Sequence, residues 1–188
     1  MAGLRLLKPS AAELPGYVDA LERGWSPDVV RPAETAKEEL RKIAEDAAAF
    51  LARLDDPEAK GEPIRLPDGT LVPRLPGFRR WMWDGASVGS IGFRWQPGTS
   101  ALLAHVLGHI GYTVVPWKRN LGHATRALAL LLPEAKVRGL DYVELTTDPD
   151  NLASQKVILA GGGRLVERFS EPAAYGGAEA LRYRINLR

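Results

Sequence analysis

The residues best suited to chemistry in this chain are Arg119-Asn-Leu-Gly122-His-Ala124-Thr125, between the strand-like run His109-Ile-Gly-Tyr-Thr-Val-Val115 and an apolar helical run over 122–138. Small residues at 122 and 124 let main chain come close to a ligand. The unpaired N–H groups of a helix's first turn and the positive end of its dipole then make a cradle for an anion. The same spacing also suits an ordinary glycine-containing strand–helix loop. No Gly-Lys-Ser/Thr follows, so this is not a P-loop, and the G-x-G-x-x-G spacing of a dinucleotide site is absent. A second cluster, Asp148-Pro-Asp-Asn151-Leu-Ala-Ser154, follows the next strand-like run. Ligands of open α/β sheets bind at that carboxyl end, and Asp150 or Asn151 there is also a ready N-cap for a helix.

The elements that must position these residues follow from periodicity. Residues 4–8 read as a short strand, and Ser10-Ala-Ala-Glu13 as a capping box opening a helix toward 23. Apolar residues Ala36, Leu40, Ile43, Ala47, Phe50 and Leu54 step at helical spacing and predict one amphipathic helix over 33–54. Five prolines and two glycines make 55–76 an irregular connection. The period then changes to two, with 78–83 and 87–94 flanking Asp84-Gly85 as a hairpin. Residues 101–106 suit a helical turn. Strand 109–115, helix 122–138 and strand 140–147 form a βαβ unit, which predicts parallel strands and a right-handed crossover. Pro133 should kink the helix, because it removes the bond to the Ala129 carbonyl. Helix 151–160 and strands 164–169 and 181–187 complete the chain. The expected class is α/β with α+β character: three layers around a mixed, partly parallel, splayed sheet.

Composition narrows the function. The 188 residues carry 25 Lys and Arg against 23 Asp and Glu, a formal charge of +2, with no basic stripe that would point to nucleic acid. Zero cysteines remove disulfides, thiolate metal sites and cysteine nucleophiles and fit a reducing, cytoplasmic setting. No metal site is expected. The start, MAGLRLLKPS, is too polar for a signal peptide, and the apolar stretch at 124–132 is too short to span a membrane and holds Arg126.

The quoted strand and loop, together with Asp150-Asn-Leu-Ala-Ser-Gln-Lys-Val-Ile158 and Gly161-Gly-Gly163, resemble the GCN5-related N-acetyltransferase (GNAT) family over 72–187, in particular a bacterial branch with an HIGY strand. The resemblance implies one domain over 1–188, its first 70 residues a helical half and 71–188 an acyl-CoA-binding core. It implies acetyl-CoA as co-substrate. The loop from Arg119 through Asn120, Leu121, Gly122, His123 and Ala124 to Thr125 would hold the pyrophosphate. Val114 and Val115 would offer main chain to the pantetheine and to an oxyanion, and Asn151 and Ser154 would line the cofactor. Leu121 and His123 replace the family's usual residues, which should weaken phosphate binding rather than abolish it.

In such a transfer the thioester is already activated, so the enzyme positions an amine, deprotonates it and stabilises the oxyanion. At the position where the family often has a Glu the sequence has His109, a candidate base. The family's helical Tyr, which protonates the thiolate, is Ile158 here. Arg94 and Trp95 at the hairpin's end could bind a carboxylate and an apolar or amine-bearing portion of the acceptor, although aromatic core and solvated charge are the favoured account of them. The expected activity is acetyl transfer to a primary amine of a small molecule or peptide. A non-catalytic acyl-CoA sensor and an RNA-binding module are the other readings, and helix 33–54 could supply a homodimer face. No nucleic acid or membrane is expected as partner.

Overall fold

A computed structural model describes residues 3–187; positions 1, 2 and 188 of the expected domain lie outside the described residues. Its elements run β1 (Arg5–Leu7), α1 (Leu14–Glu22), α2 (Pro32–Glu45), α3 (Ala47–Arg53), β2 (Asp55–Asp56), β3 (Ile64–Arg65), β4 (Leu71–Val72), β5 (Gly77–Trp83), β6 (Ser87–Arg94), β7 (Ile110–Val114), α4 (His123–Val137), β8 (Tyr142–Thr147), α5 (Leu152–Ala160), β9 (Arg164–Ser170) and β10 (Glu179–Asn186).

Helix α1 starts at Leu14 with Pro15 in its first turn, where the missing N–H costs nothing. The run 33–54 is two helices. Asp46 has extended backbone and accepts the Ala49 N–H at 2.9 Å, so a new N-cap interrupts the apolar stripe without moving it off the core. Residues 101–106 form no helix. The β5–β6 hairpin keeps its expected bounds within a residue, and Pro133 sits inside an uninterrupted α4.

Sheet order decides where a ligand can enter. One sheet runs β1-β5-β6-β7 with β2 also on β5, a second runs β8-β10-β9, and β3 and β4 form a small pair. Every ladder among the described residues is antiparallel. The expected parallel ladder between β7 and β8 does not form. The βαβ chain path brings the strands side by side, but they splay from a single backbone bond, His109 N–H to Glu144 C=O at 2.7 Å.

Two apolar cores hold the layers. On one side Phe78, Met82, Ile91 and Phe93 pack on Ala127, Leu128 and Leu131 of α4. On the other, Trp81 packs among Tyr17, Ala20, Leu21 and Phe50 from α1 and α3, stacked on Tyr17 with centroids 4.5 Å apart. Buried charge ties this second layer down: Arg79 donates to Glu39 at 2.7 Å and to the Tyr17 hydroxyl at 3.1 Å. No helix among the described residues is long and apolar enough to cross a membrane.

Candidate functional site

The gap between β7 and β8 has two edges that no strand pairs with, and the hydrogen-bond alternation identifies them. Val115 N–H donates to Val88 C=O at 2.9 Å and Arg94 N–H to His109 C=O at 2.9 Å. In an antiparallel pair the bonded positions alternate, so the N–H and C=O groups of Tyr112 and Val114 turn away from β6 toward the gap. On β8, Leu187 N–H donates to Asp141 C=O at 2.8 Å, which by the same alternation turns Glu144 and Thr146 toward β7. Beyond the Glu144 level no backbone bond joins the two edges among the described residues. An extended chain offering alternate donors and acceptors fits there.

At the mouth of the gap lies the 119–125 loop. Gly122 is the N-cap of α4 with φ 76°, and Asn120 also has positive φ, 62°. The left-handed turn bends the chain so that the N–H groups of residues 120–125 make no hydrogen bond among the described residues; the first committed amide is Arg126, to Gly122 C=O at 3.0 Å. With the α4 dipole behind them, these amides suit a pyrophosphate. Of the loop's side chains, Arg119 reaches the gap edge and His123 the hairpin turn. Arg119 Nε donates to Val114 C=O at 3.2 Å, and His123 Nε2 stands 3.8 Å from Asp84 in the hairpin turn. Lys118 is bound to the same Asp84 at 2.6 Å. Leu121, Gly122 and Asn120 are exposed.

On the far wall, Asn151 Oδ1 accepts Ser154 N–H at 3.0 Å and caps α5. Ser154 Oγ in turn meets the Tyr112 hydroxyl at 3.0 Å, so β7 and α5 are bridged across the cleft by a pair of hydroxyls. Burial holds the Tyr112 phenol above its usual value. The Tyr112 side chain forms part of the cleft wall.

Three expectations are corrected. Val115 is fully buried and its N–H is spent on Val88, so it offers nothing to a pantetheine or an oxyanion; Val114 alone of the pair faces the gap. Trp95 is core, stacked on Phe93 at 5.3 Å under the Arg138 guanidinium, whereas its neighbour Arg94 is exposed. Strand alternation puts the two on opposite faces.

His109 is the third. Its side chain has no exposure, and Nδ1 accepts the Glu144 N–H at 2.9 Å. The ring thus uses its one lone pair, leaving Nε2 to carry the proton, and Nε2 is buried without a partner. Burial pushes the imidazole down to about 4. A base needs a free lone pair in the cleft, and this one has neither the lone pair nor the access. What the imidazole does instead is satisfy Glu144 where β7 and β8 part: backbone N–H and ring together complete both edge groups of that residue.

Because the folded imidazole titrates below the unfolded value of about 6.5, protonation favours the unfolded chain. Its stabilising contribution is whole above pH 6.5 and drains away as the pH falls toward about 4, by at most about 3 kcal/mol. Urea unfolding of wild type and His109→Asn between those pH values reads this directly. The wild type should lose more stability than the variant, and parallel curves would mean the ring is not held neutral.

Sequence reasoning missed Glu171 and Tyr175, in the β9–β10 connection. Burial and the Asp148 charge hold the Glu171 carboxyl above its ordinary value, and Tyr175 donates to the His105 carbonyl at 2.9 Å. Pro172 and the paired glycines 176 and 177 are turn residues and carry no signal of chemistry in this segment. Glu144, mid-strand, is held by Arg184 at 2.6 Å and is not open for chemistry. An open hollow of about 370 Å³, lined by Gly16, Arg23, Trp83, Trp117 and Lys118 among others, lies beside α1 and not at the amide cradle.

Comparison with known proteins bears on this geometry. Residues 37–164 match the acetyltransferase (GNAT) domain family. No curated protein matches the sequence significantly. Among solved structures, an acetyltransferase of the GNAT family from Bacillus anthracis is similar with a TM-score of 0.60 at 17% identity, covering 100% of this chain and 97% of that one. RimL, a ribosomal L7/L12 alpha-N-protein acetyltransferase in complex with coenzyme A, gives 0.61 at 12% identity over 97% of this chain and 93% of that one. The microcin C7 self-immunity acetyltransferase MccE, in complex with acetyl-CoA and AMP, gives 0.57 at 10% over 97% and 92%.

Proposed function

Because the chain belongs to the GNAT acetyltransferase family, we propose that it transfers an acetyl group from acetyl-CoA to a primary amine of a small molecule or peptide, by direct attack in a ternary complex. The observation that carries this reading is the run of uncommitted amides at 120–125 opening onto the unpaired edges of β7 and β8. The pyrophosphate rests on those amides, and the pantetheine lies along the Val114 and Thr146 edges as the strand that the sheet lacks. Asn151 holds the α5 wall and Ser154 lines it.

The amine nitrogen attacks the thioester carbonyl, the C–N bond forms, and the C–S bond breaks with its electron pair leaving on sulfur. Val114 N–H, aimed into the gap, steadies the oxyanion. Before attack Glu171, whose carboxyl is held above its ordinary value by burial and the Asp148 charge, accepts a proton from the bound ammonium and so frees the nitrogen lone pair; the second N–H proton, lost as the C–N bond forms, goes to the departing sulfur or to water. His109 acts at a distance by fixing where the strands separate. Ile158 is fully buried, so α5 brings no hydroxyl at that position; a thiol of pKa about 8.5 leaves without full protonation.

Calorimetric titration with acetyl-CoA, followed by an amine panel read by thiol release, tests the proposal. Micromolar binding and amine-dependent thiol are expected. Binding without release from any amine would make the chain a non-catalytic acyl-CoA sensor, and no binding at millimolar acetyl-CoA would remove the reading altogether.

A further inference from the structure

Arg94 ends β6 on the sheet face that looks away from α4. Its guanidinium lies over Gly111 of β7: a Cβ there would stand 3.8 Å from Nη2. The residue is exposed, and desolvation by the protein around it holds the guanidinium below its ordinary range. The groups that face it come from separate segments. Asp28, in the α1–α2 loop, has both oxygens engaged: Oδ1 accepts Val30 N–H at 2.7 Å and Arg31 N–H at 3.2 Å, and Oδ2 accepts the Thr35 hydroxyl at 3.1 Å. The Tyr175 hydroxyl is spent on His105, and the neighbouring Arg79 is bound to Glu39. No hydrogen bond or ion pair engages the Arg94 side chain among the described residues. An unpaired, partly desolvated cation is costly unless a ligand supplies its counter-ion.

The floor beside it is cleared. Gly92 faces Gly111 across β6 and β7, so no side chain rises from the sheet beside the guanidinium, whereas Ser90 and the Thr113 hydroxyl, one step further, are buried. Resting on the transfer reading above, we propose that Arg94 anchors the acceptor by a carboxylate over the Gly92–Gly111 pair, and that the acceptor's amine reaches toward the gap edge at Val114. Gly111 and Val114 are three residues apart, about 10 Å on an extended strand. The carboxylate is therefore several bonds removed from the reacting amine, as in an ω-amino acid or a lysine-type side chain next to a free carboxyl, rather than α to it.

Thiol release at saturating acetyl-CoA, with ε-aminocaproate, hexylamine and glycine as acceptors, tests this in wild type and Arg94→Gln. Wild type should favour ε-aminocaproate over hexylamine by about 10- to 100-fold in kcat/KM, the worth of a charge-assisted pair, and use glycine poorly. Arg94→Gln should erase that preference while leaving the KM for acetyl-CoA unchanged. Caproate, which lacks the amine, should compete with the amine on wild type, an arm that needs no variant. Equal use of the two long amines, or a preference that survives in Arg94→Gln, overturns the anchor and leaves acetyl transfer standing. If no amine releases thiol, calorimetry of ε-aminocaproate on CoA-saturated protein separates the two ideas. Binding that depends on Arg94 keeps the anchor and removes the transfer; no such binding removes both.

Discussion

Replacing Gly89 with alanine is expected to cost more than about 4 kcal/mol of folding stability, beyond the usual range for one substitution. Gly89 sits in β6 opposite Val114 with φ 148°, and a Cβ there would stand 2.1 Å from the Thr113 carbonyl oxygen and 2.9 Å from Val114 Cα. Both neighbours are backbone of a paired strand, so neither can move aside without opening the β6–β7 ladder. Conformational strain adds to the clash, since L-residues rarely adopt this φ. Urea unfolding measures the loss. Gly176→Ala is the control: its φ is 97° but its Cβ would meet nothing within 4 Å, so it isolates the strain at about 1–2 kcal/mol. If the two variants lose the same amount, the close approach at Gly89 is not real. Because Val114 supplies the gap's inner edge, a Gly89→Ala protein that still folds should also bind acetyl-CoA more weakly.

The largest functional effect is expected at Gly122. Nothing lies within 4 Å of its missing Cβ, so packing permits a larger residue. Its φ of 76° does not, least of all for a β-branched one. Gly122→Val should relax the turn to negative φ and rotate the adjoining amides out of the cradle. Losing two charge-assisted bonds at about 2 kcal/mol each weakens acetyl-CoA by roughly 1,000-fold. Stability should change far less, because the loop is exposed and α4 is held by its buried Ala127, Leu128 and Leu131. Calorimetry with acetyl-CoA alongside urea unfolding separates the two effects. Affinity within tenfold of wild type would show that the amides of this turn are not the anion site.

How much of this was legible in advance depended on the range of the interaction concerned. The Gly122 cap, the cap at Asp150 or Asn151 (Asn151 in the fold) and the hairpin around Asp84-Gly85 are each written locally and stand within a few residues of where the spacing put them. The break at Asp46 was equally local, but the unbroken apolar stripe across it outweighed a single capping residue. His109 and Arg94 could not be resolved in the same way. Their neighbours along the chain do not say that Glu144, 35 residues away, takes the imidazole lone pair, or that Asp28 spends its carboxylate on its own loop.

Residue order alone therefore determined the kinds of element, their succession and the glycine turn that frees a row of amides, because these depend on backbone preferences and on bonds that close within one turn. Only the folded chain decided that β7 and β8 part after one backbone bond, that Val114 and not Val115 faces the opening, and that Arg94 keeps its charge unpaired. Those outcomes depend on strand register and on which distant donors and acceptors reach one another first. A shift of one residue in register would exchange every one of these assignments without altering the pattern of apolar and polar residues from which the elements were read.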